Sequence, residues 1–304
     1  MSVSARVASS TKVLKNLVST VQQLYPAALA DKTWDNTGLL LDSPPTETTT
    51  VGQTARVLLT IDLTTAVVDE ALQKQALLVV AYHPIIFRPL KSLSLANTQQ
   101  RSLIRLAQAG ISVYSPHTAV DAQVGGMNDW LARVATGVDE SAALESAVIE
   151  PNESVPETGF GRLVRVSDEA LTLLKIIENV KSGLGLKHVQ VAIADRHKNI
   201  DTATIKSIAI CAGSGGSVLG KTDADLWFTG ELSHHEVLAI KERGISAIIC
   251  GHTNTERGYL SSVFAPSLLS KIADNKEELG SAHYEGYDID VVVSEQDRDP
   301  LTVF

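Results

Sequence analysis

The chain has 304 residues, of which 44% are hydrophobic, and a formal net charge of -9. This length and apolar content suffice for one large or two medium domains with a sizeable core. The acidic balance argues against nucleic-acid binding, which needs a basic face, and no apolar run reaches the roughly 18 residues of a transmembrane helix.

The first 30 residues fit two interpretations. They contain Arg6, Lys12 and Lys15, many Ser and Thr and no acidic residue, a composition typical of a mitochondrial transit peptide. Apolar residues nevertheless recur at helical spacing from Val13 to Leu24, which favours a first amphipathic helix. We therefore predict a helix and a cytoplasmic protein, with a mitochondrial location as the alternative.

Strand and helix patterns alternate along the first half of the chain. Apolar segments predict strands at 38–42, 55–62, 76–82 and 111–117, and helices at 64–75, 96–110 and 126–137. Gly110 is the expected C-cap of its helix. This alternation predicts an α/β fold.

The second half repeats the alternation after a change of composition. Residues 138–162 hold acids, prolines and glycines and are predicted to connect two lobes, 11–137 with 250–304 and 163–249. Beyond them we expect helices at 167–185, with Ser167 as N-cap, at 233–244 and at 254–272, and strands at 187–194, 205–213, 224–230 and 245–250. Cys211 and Cys250 each end an apolar run and are predicted to be buried free thiols.

Polar side chains follow four of the predicted strands. In chain order they are His83, then His117 and Asp121, then Glu231, His234 and His235, and finally His252 and Glu256. Sites in open α/β sheets form at the carboxyl ends of strands, so we expect these side chains on one rim. Imidazole and carboxylate donors suit a divalent transition metal such as Zn, Fe, Mn, Co or Ni. A histidine taken singly is more often a surface or core residue, as we expect for His188, His197 and His283. The prediction of a metal site therefore depends on the joint placement of these side chains at strand ends.

A competing pattern lies at residues 215–222. The segment "GGSVLGKT" matches the phosphate-binding pattern G-x-x-x-x-G-K-[ST] and follows a predicted strand. Such a loop needs a helix that begins at the Lys-Thr pair, here Lys221 and Thr222. The residues that follow, "DADLWFTG", are typical of a strand instead. An ATPase is therefore disfavoured, although backbone N–H groups of this glycine loop could bind an anion.

Six stretches between residues 34 and 258 resemble the NGG-interacting-factor-three-like family, also catalogued as GTP cyclohydrolase I type-two homologues. They are "WDNTGLLLD", "AYHPIIF", "SPHTAVDA", "AGSGGS", "TGELSHHEVL" and "GHTNTERG", in family order. The resemblance implies a single family domain over 11–304, built from two α/β lobes with a two-metal cleft between them, and assembly into hexamers. It also implies a cofactor-binding role near the metals for Gly213, Gly215 and Gly216.

The resemblance implies four metal ligands in this chain: His83, Asp121, His252 and Glu256. The family's His-His-Pro motif matches Tyr82, His83 and Pro84, so Tyr82 replaces the first histidine, as in the eukaryotic-type branch. A phenol has a pKa near 10 and is a poor ligand until it is deprotonated. We therefore expect one or two metals per chain.

Two functions of different class fit these residues. The first is a di-metal hydrolase that acts on a nucleotide or phosphoester-type small molecule through metal-bound water. His117, His234, His235 and Glu231 are then the candidate acids, bases or ligand-orienting groups. The alternative is a non-catalytic metal-binding scaffold or regulatory interaction partner. Expected partners are further copies of the chain, a small-molecule substrate and other proteins, with no membrane or nucleic acid.

Overall fold

The computed structural model describes residues 3–46, 54–139, 142–166 and 171–303. The chain folds as two compact units, unit 1 with Met1–Val120 and Leu260–Arg298, and unit 2 with Asp121–Tyr259 and Asp299–Phe304. Both combine helices with a mixed sheet, which confirms the predicted α/β class. Among the described residues no helix is long and apolar enough to span a membrane.

The elements are as follows. The strands are β1 (Gly38–Leu41), β2 (Thr54–Thr60), β3 (Leu78–Ala81), β4 (Ser112–Ser115), β5 (Ser146–Pro151), β6 (Gly159–Arg165), β7 (Leu171–Thr172), β8 (Gln190–Ala192), β9 (Thr204–Ile205), β10 (Ser207–Cys211), β11 (Leu226–Thr229), β12 (Ser246–Ile249) and β13 (Asp288–Val293). The helices are α1 (Val3–Leu24), α2 (Thr65–Gln73), α3 (Thr98–Ala109), α4 (Thr118–Ala122), α5 (Met127–Thr136), α6 (Leu173–Leu184), α7 (Gly216–Leu219), α8 (His234–Glu242), α9 (Arg257–Tyr259) and α10 (Ala265–Leu279).

Unit 1 is built on a five-stranded sheet in the order β1-β4-β3-β2-β13. Strands β2, β3, β4 and β13 are parallel, and β1 pairs antiparallel with β4. Every residue of β3 is buried, because a strand between parallel neighbours is covered on both faces. Helix α3 ends at Gly110, whose left-handed φ of 75° closes the last turn as predicted.

The helix predicted near the N-terminus is confirmed as α1. Val13, Leu17 and Val21 are fully buried along one face, which is the stripe that their spacing predicts. The helix packs on α10, where Thr20 and Asn275 are joined by a hydrogen bond of 3.1 Å. This burial makes α1 part of the core of unit 1.

Unit 2 is built on a six-stranded sheet in the order β5-β6-β10-β11-β12-β8, with β7 and β9 as a separate small pair. Strands β10, β11 and β12 are parallel, and their outer neighbours are antiparallel. Cys211 and Cys250 are free and buried, as predicted. Residues 121–137 and 250–259, which the sequence assigns to the first lobe, cluster with this unit.

Three local predictions need correction. The expected connection over 138–162 contains β5 and the start of β6, an outer hairpin whose partly exposed strand β5 accommodates Glu150 and Pro151. The helix expected from 167 begins at Leu173 with Thr172 as its N-cap, and Ser167 lies outside the described residues. The helix expected over 254–272 is divided into α9, a π-helical turn and α10, the last with a proline in its first turn.

Candidate functional site

The parallel strands of unit 1 bring two predicted histidines and one further carboxylate to one sheet edge. Asp62, His83 and His117 follow β2, β3 and β4, and carboxyl ends of parallel strands meet at the same edge. The chain is held there by backbone hydrogen bonds, since His83 N–H donates to the carbonyl of Ile61 at 3.0 Å. The rings of His83 and His117 lie 5.4 Å apart between centroids.

His83 is bonded to a carboxylate that the sequence analysis did not select. Its Nδ1 lies 3.0 Å from Asp62 Oδ1. Tyr82, which is 2% exposed, places its ring 5.0 Å from that of His83 and 5.3 Å from that of His117. The residue that replaces the family's first histidine is therefore packed against both imidazoles.

His117 is held by a fully buried carboxylate. Its Nδ1 lies 2.6 Å from Asp35 Oδ1, and the Asp35 side chain is 0% exposed. Burial by itself raises the pKa of Asp35, but the hydrogen bond and charge of His117, with the hydroxyl of Thr118, outweigh it and the net shift is downward. His117 has a φ of 31°, a strained conformation for a residue with a Cβ, and such strain is common at functional sites.

The parallel strands of unit 2 form a second polar edge. Gly213, Glu231 and His252 follow β10, β11 and β12. Glu231 Oε1 lies 2.8 Å from His252 Nδ1 and also accepts a hydrogen bond from the Ser214 hydroxyl. The bonds from Ser214 and His252 lower the pKa of Glu231. On the other side of the ring, His252 Nε2 lies 3.4 Å from Oε1 of Glu256, which is 1% exposed.

Gly213 leaves room in front of these two donor atoms. A Cβ at this position would lie 2.9 Å from both His252 Nε2 and Glu256 Oε1, closer than real side chains approach. The residue also has a φ of 61°, which favours glycine. Its N–H donates to Thr255 Oγ1 at 2.9 Å, and its carbonyl accepts the Glu231 N–H at 3.0 Å. Gly213 is thus fixed against the pair without filling the space beside it.

The donor pair of unit 2 fits a transition metal. A nitrogen and an oxygen bound tetrahedrally at about 2.0–2.2 Å lie about 3.4 Å apart, which is the observed separation of His252 Nε2 and Glu256 Oε1. The nearby thiols are unsuited to compete, because burial raises the pKa of Cys211, and raises that of Cys250 to about 12. The pair is therefore a nitrogen–oxygen donor set.

The glycine loop packs against the protein itself. The N–H of Gly215 donates to Thr229 Oγ1 at 3.1 Å. A Cβ at Gly216 would lie 2.1 Å from Glu236 Oε1, so the Glu236 side chain would have to move to admit one. These contacts account for the glycines by packing, and a cofactor-binding role for Gly213, Gly215 and Gly216 stays a prediction.

The structure does not have the helix that a phosphate-binding Lys221 requires. Helix α7 ends before Lys221, and the apolar residues beyond it form β11, as the sequence predicts. Lys221 Nζ instead lies 2.8 Å from Glu150 Oε1. Lys221 is therefore paired with a carboxylate of β5 and does not stand at the start of a helix.

The remaining predicted residues lie on helices. His234 and His235 are exposed at the start of α8, where Ser233 and Glu236 form a capping box. Asp121 lies in α4, and its carbonyl accepts a hydrogen bond of 3.1 Å from Asn128 Nδ2. The four strand ends belong to two different sheets, and their meeting in the predicted single rim stays a prediction.

Sequence reasoning missed Asp35 and Asp62. Asp62 follows β2 just as His83 follows β3, so the rule that sites form at strand ends could have found it. Asp35 lies in the loop before β1, where neither periodicity nor spacing marks a partner for His117.

Known proteins share this chain's sequence and fold over nearly their whole length. The family model of Duf34/NIF3 (NGG1p interacting factor 3) matches residues 13–297 of this chain. "Protein NIF3 homolog" of Schizosaccharomyces pombe is 46% identical, covering 97% of this chain and 99% of the relative, and "NGG1-interacting factor 3" of Saccharomyces cerevisiae is 44% identical, covering 95% and 96%. A Bacillus cereus protein related to NIF3 has the same fold, with a TM-score of 0.72 at 19% identity over 95% of this chain and 98% of that one. With its motifs in family order and this agreement along its length, the chain belongs to the Duf34/NIF3 family.

Proposed function

We propose that the protein binds one or two divalent transition metal ions through His83, Asp121, His252 and Glu256. The observation that carries the proposal is the 3.4 Å separation of His252 Nε2 and Glu256 Oε1, beside the space that Gly213 leaves open. The buried carboxylate gives this site a negative charge, which favours a cation. His83 contributes a second imidazole, which is itself held by a carboxylate.

We further propose that the protein is a metal-dependent hydrolase of a nucleotide or phosphoester-type small molecule. A metal bound by these residues would supply Lewis acidity and lower the pKa of a water molecule. His117 accepts or releases the proton, because Asp35 holds its ring and balances its positive charge. Glu231 orients His252, while His234 and His235 lie exposed on α8, where they could contact a substrate.

Metal analysis of the chain purified without added metal tests the binding proposal. The variant with alanine at His83, Asp121, His252 and Glu256 should remain folded by circular dichroism yet carry little metal. His188→Ala, which removes an exposed imidazole, should keep the metal content of the parent. Equal metal content in the parent and the quadruple variant would contradict the ligand set.

A turnover screen tests the catalytic proposal. Nucleotides, including GTP, and simple phosphoesters should be hydrolysed by the metal-loaded parent, and a chelator should abolish the activity until metal is restored. His117→Gln should lose turnover while it keeps bound metal. Metal binding without turnover on any of these compounds would instead favour the scaffold.

The scaffold function has its own support. One curated relative is named for interaction with NGG1, which makes a protein partner the alternative role for this chain. Assembly into a homohexamer is a further proposal that rests on the family resemblance, and light scattering on the purified chain tests it. A cytoplasmic location stays a prediction.

A further inference from the structure

Three histidines of the candidate site have a carboxylate beside Nδ1, whereas the buried His197 of unit 2 does not. In each, Nδ1 faces a carboxylate from another segment of the chain, and we call these the carboxylate–imidazole pairs: Asp62–His83 at 3.0 Å, Asp35–His117 at 2.6 Å and Glu231–His252 at 2.8 Å. By contrast, His197 is 4% exposed and its Nδ1 lies 2.9 Å from a hydroxyl, Ser246 Oγ.

The partner of Nδ1 determines where the proton is. An ionised carboxylate can only accept a hydrogen bond, so Nδ1 must carry the hydrogen in each pair. In the neutral ring the lone pair then lies on Nε2. This reverses the preference of imidazole in water, where the hydrogen is mostly on Nε2. His252 differs in one respect, because its Nε2 also faces a carboxylate oxygen, Glu256 Oε1 at 3.4 Å, so the spectrum of this ring is judged on the hydrogen at Nδ1 alone.

Two of the three carboxylates, those of Asp35 and Glu231, are themselves held by hydrogen bonds. Asp35 accepts hydrogen bonds from the N–H and the hydroxyl of Thr118, the first at 3.3 Å. Glu231 accepts one from the Ser214 hydroxyl, and its own N–H is bonded to the carbonyl of Gly213 at 3.0 Å. For Asp62 it is the backbone that is held, because its main-chain carbonyl accepts the Thr64 N–H at 3.0 Å. Fixed carboxylates can fix the rings that they contact.

We propose that Asp62, Glu231 and Asp35 are positioning residues that set both the orientation and the tautomer of their histidines. Asp62 and Glu231 present Nε2 of His83 and His252 as the metal-binding nitrogens. Asp35 presents Nε2 of His117 as the atom that accepts a proton. The metal-binding part of this assignment rests on the proposed function, whereas the tautomers are a property of the metal-free chain.

The first experiment reads the tautomers in metal-free protein labelled with ¹⁵N-histidine. Long-range ¹H–¹⁵N spectra, assigned with His83→Gln, His117→Gln and His252→Gln, should show the hydrogen on Nδ1 of each parent ring. The variants Asp62→Asn, Asp35→Asn and Glu231→Gln should each move the hydrogen to Nε2 of the paired ring, because an amide can donate to Nδ1. Asp69→Asn is the control, since that carboxylate binds Arg105 at 2.6 Å and is 60% exposed.

The second experiment titrates the same variants with Co²⁺. Asp62→Asn and Glu231→Gln should weaken binding by about 10–100-fold, the usual effect of losing a partner of a ligating histidine. Asp35→Asn and Asp69→Asn should bind Co²⁺ as the parent does. If the parent protein bound no Co²⁺, the proposed metal site would be refuted. The tautomers of the metal-free chain would then decide the positioning assignment by themselves. Parent rings that lack the hydrogen on Nδ1, or acid variants whose rings keep it, would overturn the positioning assignment. The parent spectrum gives this result even if a variant fails to fold.

Discussion

Replacement of Gly213 by alanine gives the sharpest test of the space beside the donor pair. The new Cβ would lie 2.9 Å from both His252 Nε2 and Glu256 Oε1, so these atoms must retreat by about half an ångström to reach ordinary van der Waals contact. Ligand distances in metal sites are expected to lie within about 0.2 Å of their usual values. We expect Gly213→Ala to weaken Co²⁺ binding by at least about tenfold, an estimate taken from that tolerance.

The matched control is Gly185→Ala. Both glycines have a left-handed φ, 61° at Gly213 and 66° at Gly185, but a Cβ at Gly185 would meet nothing within 4 Å. Each substitution should therefore lose about 1–2 kcal/mol of unfolding free energy from backbone strain. Gly213→Ala should lose about 1–3 kcal/mol more, because its neighbours must move.

Urea unfolding and Co²⁺ titration of the three proteins measure these effects. The expected result is a modest loss of stability with parental affinity in Gly185→Ala, and losses of both stability and affinity in Gly213→Ala. If Gly213→Ala bound Co²⁺ with the parental Kd, the space in front of His252 and Glu256 could not be the metal position.

Three further predictions follow from other contacts. Lys221→Ala should leave any ATP binding, measured by calorimetry, unchanged, because Lys221 is paired with Glu150; a large loss of affinity would restore the phosphate-loop interpretation. The lowered pKa of Asp35 stabilises the fold above the ordinary value of 3.8, and this stability is lost as the pH falls below that value through the folded pKa. Asp35→Asn should therefore show a shallower loss of unfolding free energy between pH 5 and about pH 2 in urea titrations, and an identical slope would count against the pairing. Tyr82→His should hold more metal per chain and resist a chelator better than the parent, because neutral imidazole binds without the deprotonation that a phenol needs. Equal metal content and chelator resistance in the two proteins would mean that Tyr82 either already binds the metal or does not contact it, and loss of metal in Tyr82→Phe distinguishes the first case.

Local pattern predicted those parts of the fold that depend on neighbours in sequence. The stripe from Val13 to Leu24 predicted α1, and the apolar residues before His83 predicted the buried strand β3. Gly110 predicted the end of α3 because a left-handed C-cap is a local requirement. The hairpin of β5 and β6 escaped prediction, because its stability comes from pairing with β10, distant in sequence, rather than from its own composition.

For the candidate site, too, some features follow from the sequence and others only from the tertiary structure. The sequence by itself selected the candidate histidines, since His83, His117 and His252 each follow a recognisable strand. The motifs in family order also indicated the Duf34/NIF3 family. Only the tertiary structure decided which carboxylate each imidazole meets. Asp35 precedes His117 by 82 positions and Glu231 precedes His252 by 21. The sequence carries no local trace of such contacts, because hydrogen bonds between distant segments depend on the order of strands in a sheet, and that order is set by packing of the whole unit.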